Sequence, residues 1–89
     1  MNVTTVFIFK IDTSFDEWLE FFDSEDSNKR LSDFNIEPLY RGQSNKDPQK
    51  VIVIHKGPEG NMQKFFEKHG SWIATHGIKV STIEVSDWV

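Results

Sequence analysis

Cysteine is absent from the 89-residue chain, which excludes disulfides, thiolate nucleophiles and Cys-ligated zinc. Basic residues are the minority. Ten Lys and Arg stand against fourteen Asp and Glu, a formal charge of -4. An acidic surface repels phosphate backbones and anionic lipid heads, so nucleic acid and membranes are not expected partners. No apolar run approaches the roughly 20 residues that span a bilayer. The first eleven residues lack a basic leader and a small-residue cleavage site, and Lys10 interrupts them. They read as a strand rather than a signal peptide, and the expectation is a soluble cytoplasmic protein. No repeat or low-complexity linker divides the chain. What it has in quantity is aromatic surface: eight Phe and three Trp, enough for one packed domain.

The run Val51-Ile52-Val53-Ile54 organises the rest. Four consecutive β-branched apolar residues cannot alternate core and solvent, so this strand is expected to be dry on both faces and central in its sheet. Val3 to Ile11 reads the same way, with Val3, Phe7, Phe9 and Ile11 on one face and Val6 and Ile8 on the other. Ser14-Phe15-Asp16-Glu17 matches a capping box, and Phe15, Trp18, Leu19 and Phe22 follow at helical spacing. Polar Asp23 to Asn28 is expected to break that helix, with a second helical stretch ending near Asn35. Ile36 to Arg41 is a weaker strand, and Pro38 places it at a sheet edge. Pro58 suits the first position of the next helix, Gly70 its stop, and Ser71 to Gly77 a short extra turn. Ile78 to Val85 alternates as an edge strand should, leaving Ser86 to Val89 as a tail.

The order is β-α-β-β-α-β, an α+β, ferredoxin-like arrangement in one domain over residues 1–89. Right-handed crossovers put strands one and three inside and strands two and four at the edges. Two helices cover only one face of a four-stranded sheet. The other face still carries apolar side chains from strands one and three, and each fully buried Val, Ile or Phe is worth roughly 1.5–3 kcal/mol. A second copy packed sheet to sheet is the simplest cover, and the Trp88 tail is placed to reach across.

The segments Phe22-Asp23-Ser24-Glu25, Pro38-Leu39-Tyr40-Arg41-Gly42, Asp47-Pro48, Val51 to His55, Trp72-Ile73 and His76-Gly77 carry a resemblance. Together they resemble a family of small proteins of unknown function from marine cyanobacteria, over nearly the whole chain. The general pattern is also similar to the dimeric α+β barrel proteins, in which two ferredoxin-like sheets face each other. That resemblance implies a homodimer but no particular reaction.

Among single residues His55 stands out, closing the central strand on the same face as Val51 and Val53. An imidazole there is a candidate general base or ligand donor. Its bland alternative is a strand-end histidine with a backbone partner. Tyr40, Arg41, Trp72 and His76 join it as candidate ligand-binding residues. Arg41 suits a small carboxylate or phosphate, or else pairs with the acidic turn at residues 23–26. His69 and His76 read as helix-end caps. No His-x-x-x-His pair supports a metal, the acidic turn lacks an EF-hand's glycine and distal glutamate, and no glycine cradle supports a nucleotide. No cofactor and no metal are therefore expected. The sequence favours a small dimeric binding or regulatory module for a modest apolar ligand. Its alternative is a cofactor-independent enzyme, monooxygenase- or isomerase-like, using His55. RNA binding is disfavoured because the third strand shows Val, Ile and His where base-stacking aromatics would stand.

Overall fold

Strand β1 (Asn2–Ile11) turns Thr5, Phe7, Phe9 and Ile11 to one face and Val6 and Ile8 to the other, as a period of two requires. The computed structural model describes residues 1–89. Two antiparallel neighbours flank β1. On one side is β3 (Lys50–Pro58), pairing Phe7 with Val53 and Phe9 with Val51; on the other is β4 (Ile78–Trp88), pairing Thr4 with Trp88. Strand β2 (Glu37–Gln43) lies on the outer side of β3. The order β2-β3-β1-β4 keeps the two most apolar strands inside, and a bulge at Pro38 and Tyr40 accommodates the proline at the edge. Three helices, α1 (Phe15–Phe22), α2 (Glu25–Ser32) and α3 (Asn61–Ala74), complete the α+β ferredoxin-like fold.

The core forms where the helices meet the odd-numbered residues of β1 and β3. Trp18, 1% exposed, sits between Phe9 and Phe22, with ring centroids 5.7 and 4.7 Å away. Phe66 of α3 meets Phe7 at 5.3 Å, and Phe65 meets Phe34 edge-on at 5.7 Å. Such pairs add about 0.5–1.5 kcal/mol to the burial of the rings themselves.

Several boundaries differ from the sequence expectation. The break between α1 and α2 is only Asp23 and Ser24: the Ser24 hydroxyl accepts the Ser27 amide at 3.2 Å and restarts the helix at once. Of the capping box at Ser14, the bond from the Glu17 amide to the Ser14 hydroxyl forms at 3.2 Å. Pro58 does not begin a helix but ends β3 opposite Asn2, and α3 starts three residues later. Gly70 does not stop α3. The helix runs through it to Ala74, and Gly77 (φ 81) makes the left-handed exit, so no separate turn begins at Ser71. A side chain at Gly77 would also press on Thr13 Cγ2 at 2.8 Å and Asp12 Oδ1 at 2.9 Å. Residues 86–88 are not a tail: β4 continues to Trp88, paired along β1.

The second sheet face carries no helix. Val51 and Val53 are buried beneath the helices, while Ile52, Ile54, Val6 and Ile8 on the reverse stay half-exposed. Tyr40, 58% exposed, lays its ring over Gly42 on that side, and Trp88, 61% exposed, shares it by register with Thr4. The central strands are thus covered on one side only by their own chain.

Candidate functional site

A cleft of about 400 Å³ opens at the end of the sheet where β1 begins and where β3 and β4 finish. Val3 and Thr5 come from β1, residues 55–58 from β3, Asp87 and Val89 from the end of the chain, and Ile36 from the approach to β2. Gly60, Met62 and Gln63 at the start of α3 form the remaining wall. Local geometry explains the opening. The left-handed Gly60 lifts α3 away after β3, and Gly57 passes so close to Asn35 and Ile36 that a side chain there would lie 3.1 Å from the Asn35 carbonyl. Across the cleft the Thr5 hydroxyl donates to Asp87 Oδ1 at 2.9 Å, tying β4 to β1. The size falls within the range of small-molecule sites.

His55 lies at the base of this cleft, 4% exposed, with its ring edge-on to Phe7 at 5.9 Å. Neither ring nitrogen has a protein partner within hydrogen-bond reach. Burial first, and the Arg41 guanidinium second, push its pKa down to about 4, so the imidazole is neutral near pH 7. On its inner side His55 borders a void of about 30 Å³ lined almost wholly by apolar residues such as Phe7, Phe65 and Ile83. Ser27 is the other polar residue on that void.

The remaining candidates are dispersed. Arg41 is on the helix side of β2, its side chain 6% exposed, and it donates to Asp23 at the junction of α1 and α2. The acidic-turn partner is therefore the one it takes. Burial lowers its pKa and Asp23 counteracts that, while Nε and Nη2 have no partner. Tyr40 is on the opposite sheet face from His55. Trp72 in the last turn of α3 and His76 just past it lie about 15 and about 20 Å along the helix from the cleft at 1.5 Å per residue. There His76 stacks on Phe21 with centroids 3.5 Å apart, and its Nδ1–H donates to the Trp72 carbonyl at 2.6 Å, the capping role expected of it. His69 is not at a helix end. It is buried in mid-α3, where its Nδ1 accepts from Arg30 Nη1 at 2.9 Å, and Arg30 also covers the Trp72 ring at 4.1 Å. That latch fastens α2 to α3. No three His, Asp or Glu side chains converge anywhere in the fold.

Of the five ligand-binding candidates, then, only His55 enters the cleft. Thr5, Asp87 and the start of α3 were not anticipated. Thr5 and Asp87 are 82 positions apart and meet only through strand register, which no local pattern encodes. The α3 start did leave a trace in Gly57-Pro58-Glu59-Gly60, where Gly60 is the second glycine of a short polar stretch.

The architecture defines a class: small ferredoxin-like α+β domains with a ligand-sized cleft at one end of the sheet. The family model described as "Domain of unknown function (DUF3764)" matches residues 1–89, and the chain belongs to that family. Among solved structures, a NIPSNAP family protein from Agrobacterium tumefaciens str. C58 is similar, with a TM-score of 0.68 and 11% identity. The likeness covers 100% of this chain and 92% of that one. At that identity it speaks for the fold alone. No curated protein matches the chain by sequence. No helix is long and apolar enough to cross a membrane.

Proposed function

We propose that the protein is a non-catalytic small-ligand-binding or regulatory module that works as a homodimer, with the His55 cleft as its ligand site. The observation that carries the reading is the unpartnered imidazole. A buried polar group without a hydrogen bond costs about 1–3 kcal/mol, and a turn of the His55 ring toward the cleft it borders would bring a nitrogen within a ligand's reach. A ligand supplying that bond recovers the loss on binding.

The dimer is supported by the open sheet face. Val6, Ile8, Ile52 and Ile54 form its half-exposed apolar centre, and Lys10 and Lys50 at one end and Lys56 at the other rim it. The two longer dimensions of the molecule, 34 and 26 Å, bound this face at about 900 Å². A standard interface uses about 800 Å² per partner, so one further copy suffices. This is also the arrangement of the dimeric α+β barrel proteins that the chain resembles.

Light scattering tests the assembly: the native chain is expected at twice the subunit mass and Ile52→Lys at the subunit mass. A native mass equal to one subunit would remove the dimer. A fragment screen read by NMR tests the cleft, with shifts expected at His55, Thr5 and the first turn of α3.

A second reading, a cofactor-independent enzyme with His55 as base, is favoured by one fact: the imidazole is buried and neutral near pH 7. Against it, no second polar side chain orients the ring, Tyr40 is on the other face and His76 at the other end of α3. The binding reading needs none of those partners.

A further inference from the structure

Helix α2 is the most polar of the three helices, and of its residues only Ser27 and Leu31 are buried. A short helix with one apolar anchor owes its seat to side-chain fastenings more than to a hydrophobic face. Two such fastenings are present. Asp23, just before the Ser24 cap, pairs with Arg41 of β2, and Arg30 in the last turn reaches His69 of α3.

The second fastening depends on a proton. A guanidinium carries donors only, so the 2.9 Å bond from Arg30 Nη1 to His69 Nδ1 exists only while that nitrogen keeps a free lone pair. His69 is therefore neutral there, with its proton on Nε2. A second proton, on Nδ1, removes the acceptor and sets two cations against each other. From α2, Arg30 opposes a charge on His69 while Asp26 and Asp33 favour it, and from α3 itself Lys68 opposes it. Phe34, Phe65 and Trp72 present only rings to it. Burial first, and then the two cations, prevail over the two acids, and the His69 pKa lies below its ordinary value. Arg30 has Asp26 at 3.3 Å on its own helix, a partner it keeps when His69 is lost.

We propose that Arg30 and His69 form a proton-sensitive latch, in which neutral His69 holds α2 closed and acid releases it. Ser27 and Leu31 border the void beside His55, so release opens that void from the α2 side, and no residue of α2 belongs to the cleft. The latch thus stands apart from the ligand reading. With α2 open, His69 regains its ordinary value of 6.5, and the open form gains on the closed form as pH falls below that. One unit lower, the gain approaches about tenfold.

Amide hydrogen exchange of the full chain, corrected for the intrinsic effect of pH, tests the latch at about pH 7.5 and about pH 5.5. Between the two, protection of the Asn28 to Asp33 amides is expected to fall about tenfold more in the native chain than in His69→Gln, because glutamine offers Arg30 an oxygen that does not titrate. These amides are also expected to be less protected than those of β1 and β3 at both pH values, which makes the opening local. Equal losses in the two chains, or equal protection in α2 and the central strands, would overturn the latch. Nitrogen NMR of His69 in the native chain at about pH 7.5 checks it without any variant. The proton is expected on Nε2, and a proton on Nδ1 would overturn it, since Arg30 could then donate nothing to that atom.

Discussion

Acid should act on this fold through His55 in a way that can be isolated. The imidazole titrates at about 4 in the folded chain and near 6.5 when unfolded. Above pH 6.5 it is neutral in both states and stability is undiminished. As pH falls below 6.5 the unfolded chain binds a proton that the folded chain refuses, so stability is lost progressively until about pH 4. A gap of about 2.5 units at 1.36 kcal/mol each amounts to about 3 kcal/mol. Carboxylates titrate in part of the same window, so the informative quantity is the difference between the native chain and His55→Leu. Urea unfolding followed by fluorescence from about pH 7 to about pH 4.5 would measure it, using the linear dependence of stability on denaturant. Near pH 7 the variant is expected to be as stable as the native chain or about 1 kcal/mol more, because it removes two nitrogens without partners. Toward pH 4.5 its advantage should widen by about 2–3 kcal/mol. Parallel stability profiles for the two chains, or an NMR titration of His55 centred near 6.5, would refute the reasoning.

Substitutions at three further places probe the packing. Asp23→Ala strands the Arg41 guanidinium, 6% exposed, without its counter-ion. It should cost roughly 1–2 kcal/mol in chemical denaturation, discounted because Asp23 itself is exposed, and more than Arg41→Met, which removes the buried charge. Trp18→Ala should lose about 3–5 kcal/mol. Trp18→Phe should lose much less than that in the same assay, because the indole N–H has no partner to forfeit. Gly77→Ala should lower the melting temperature by an amount equivalent to roughly 1–3 kcal/mol, since a left-handed φ coincides with a close approach to Thr13. An unchanged melting temperature would remove Gly77 as the required exit of α3.

Much of the architecture was legible because hydrophobic period is a local signal. The unbroken run at residues 51–54 and the alternation in β1 placed both central strands, and Pro38 marked an edge. Helix ends were harder. Gly70 looks like a stop because glycine is a frequent one, yet Phe65, His69 and Ile73 continue the buried stripe of α3 past it, and that packing prevails over a loss of about 1 kcal/mol. Ser86 to Trp88 looked like a tail because it is polar and short, whereas its pairing depends on β1, more than eighty residues away. The site was legible only in His55. Its neighbours in the cleft are assembled by strand register, and the other candidates were chosen for their chemistry, which says nothing of where β2 and α3 would carry them.

The pairing of Thr4 with Trp88 brings the two ends of the polypeptide side by side, and Met1 and Val89 both border the cleft. An affinity handle or fusion partner joined at either end therefore emerges at the doorway of the recess and shields or distorts it. A short bridge from residue 89 to residue 1, with new ends cut in the exposed turn around Asn45, would leave that doorway clear and keep every strand in its present neighbourhood.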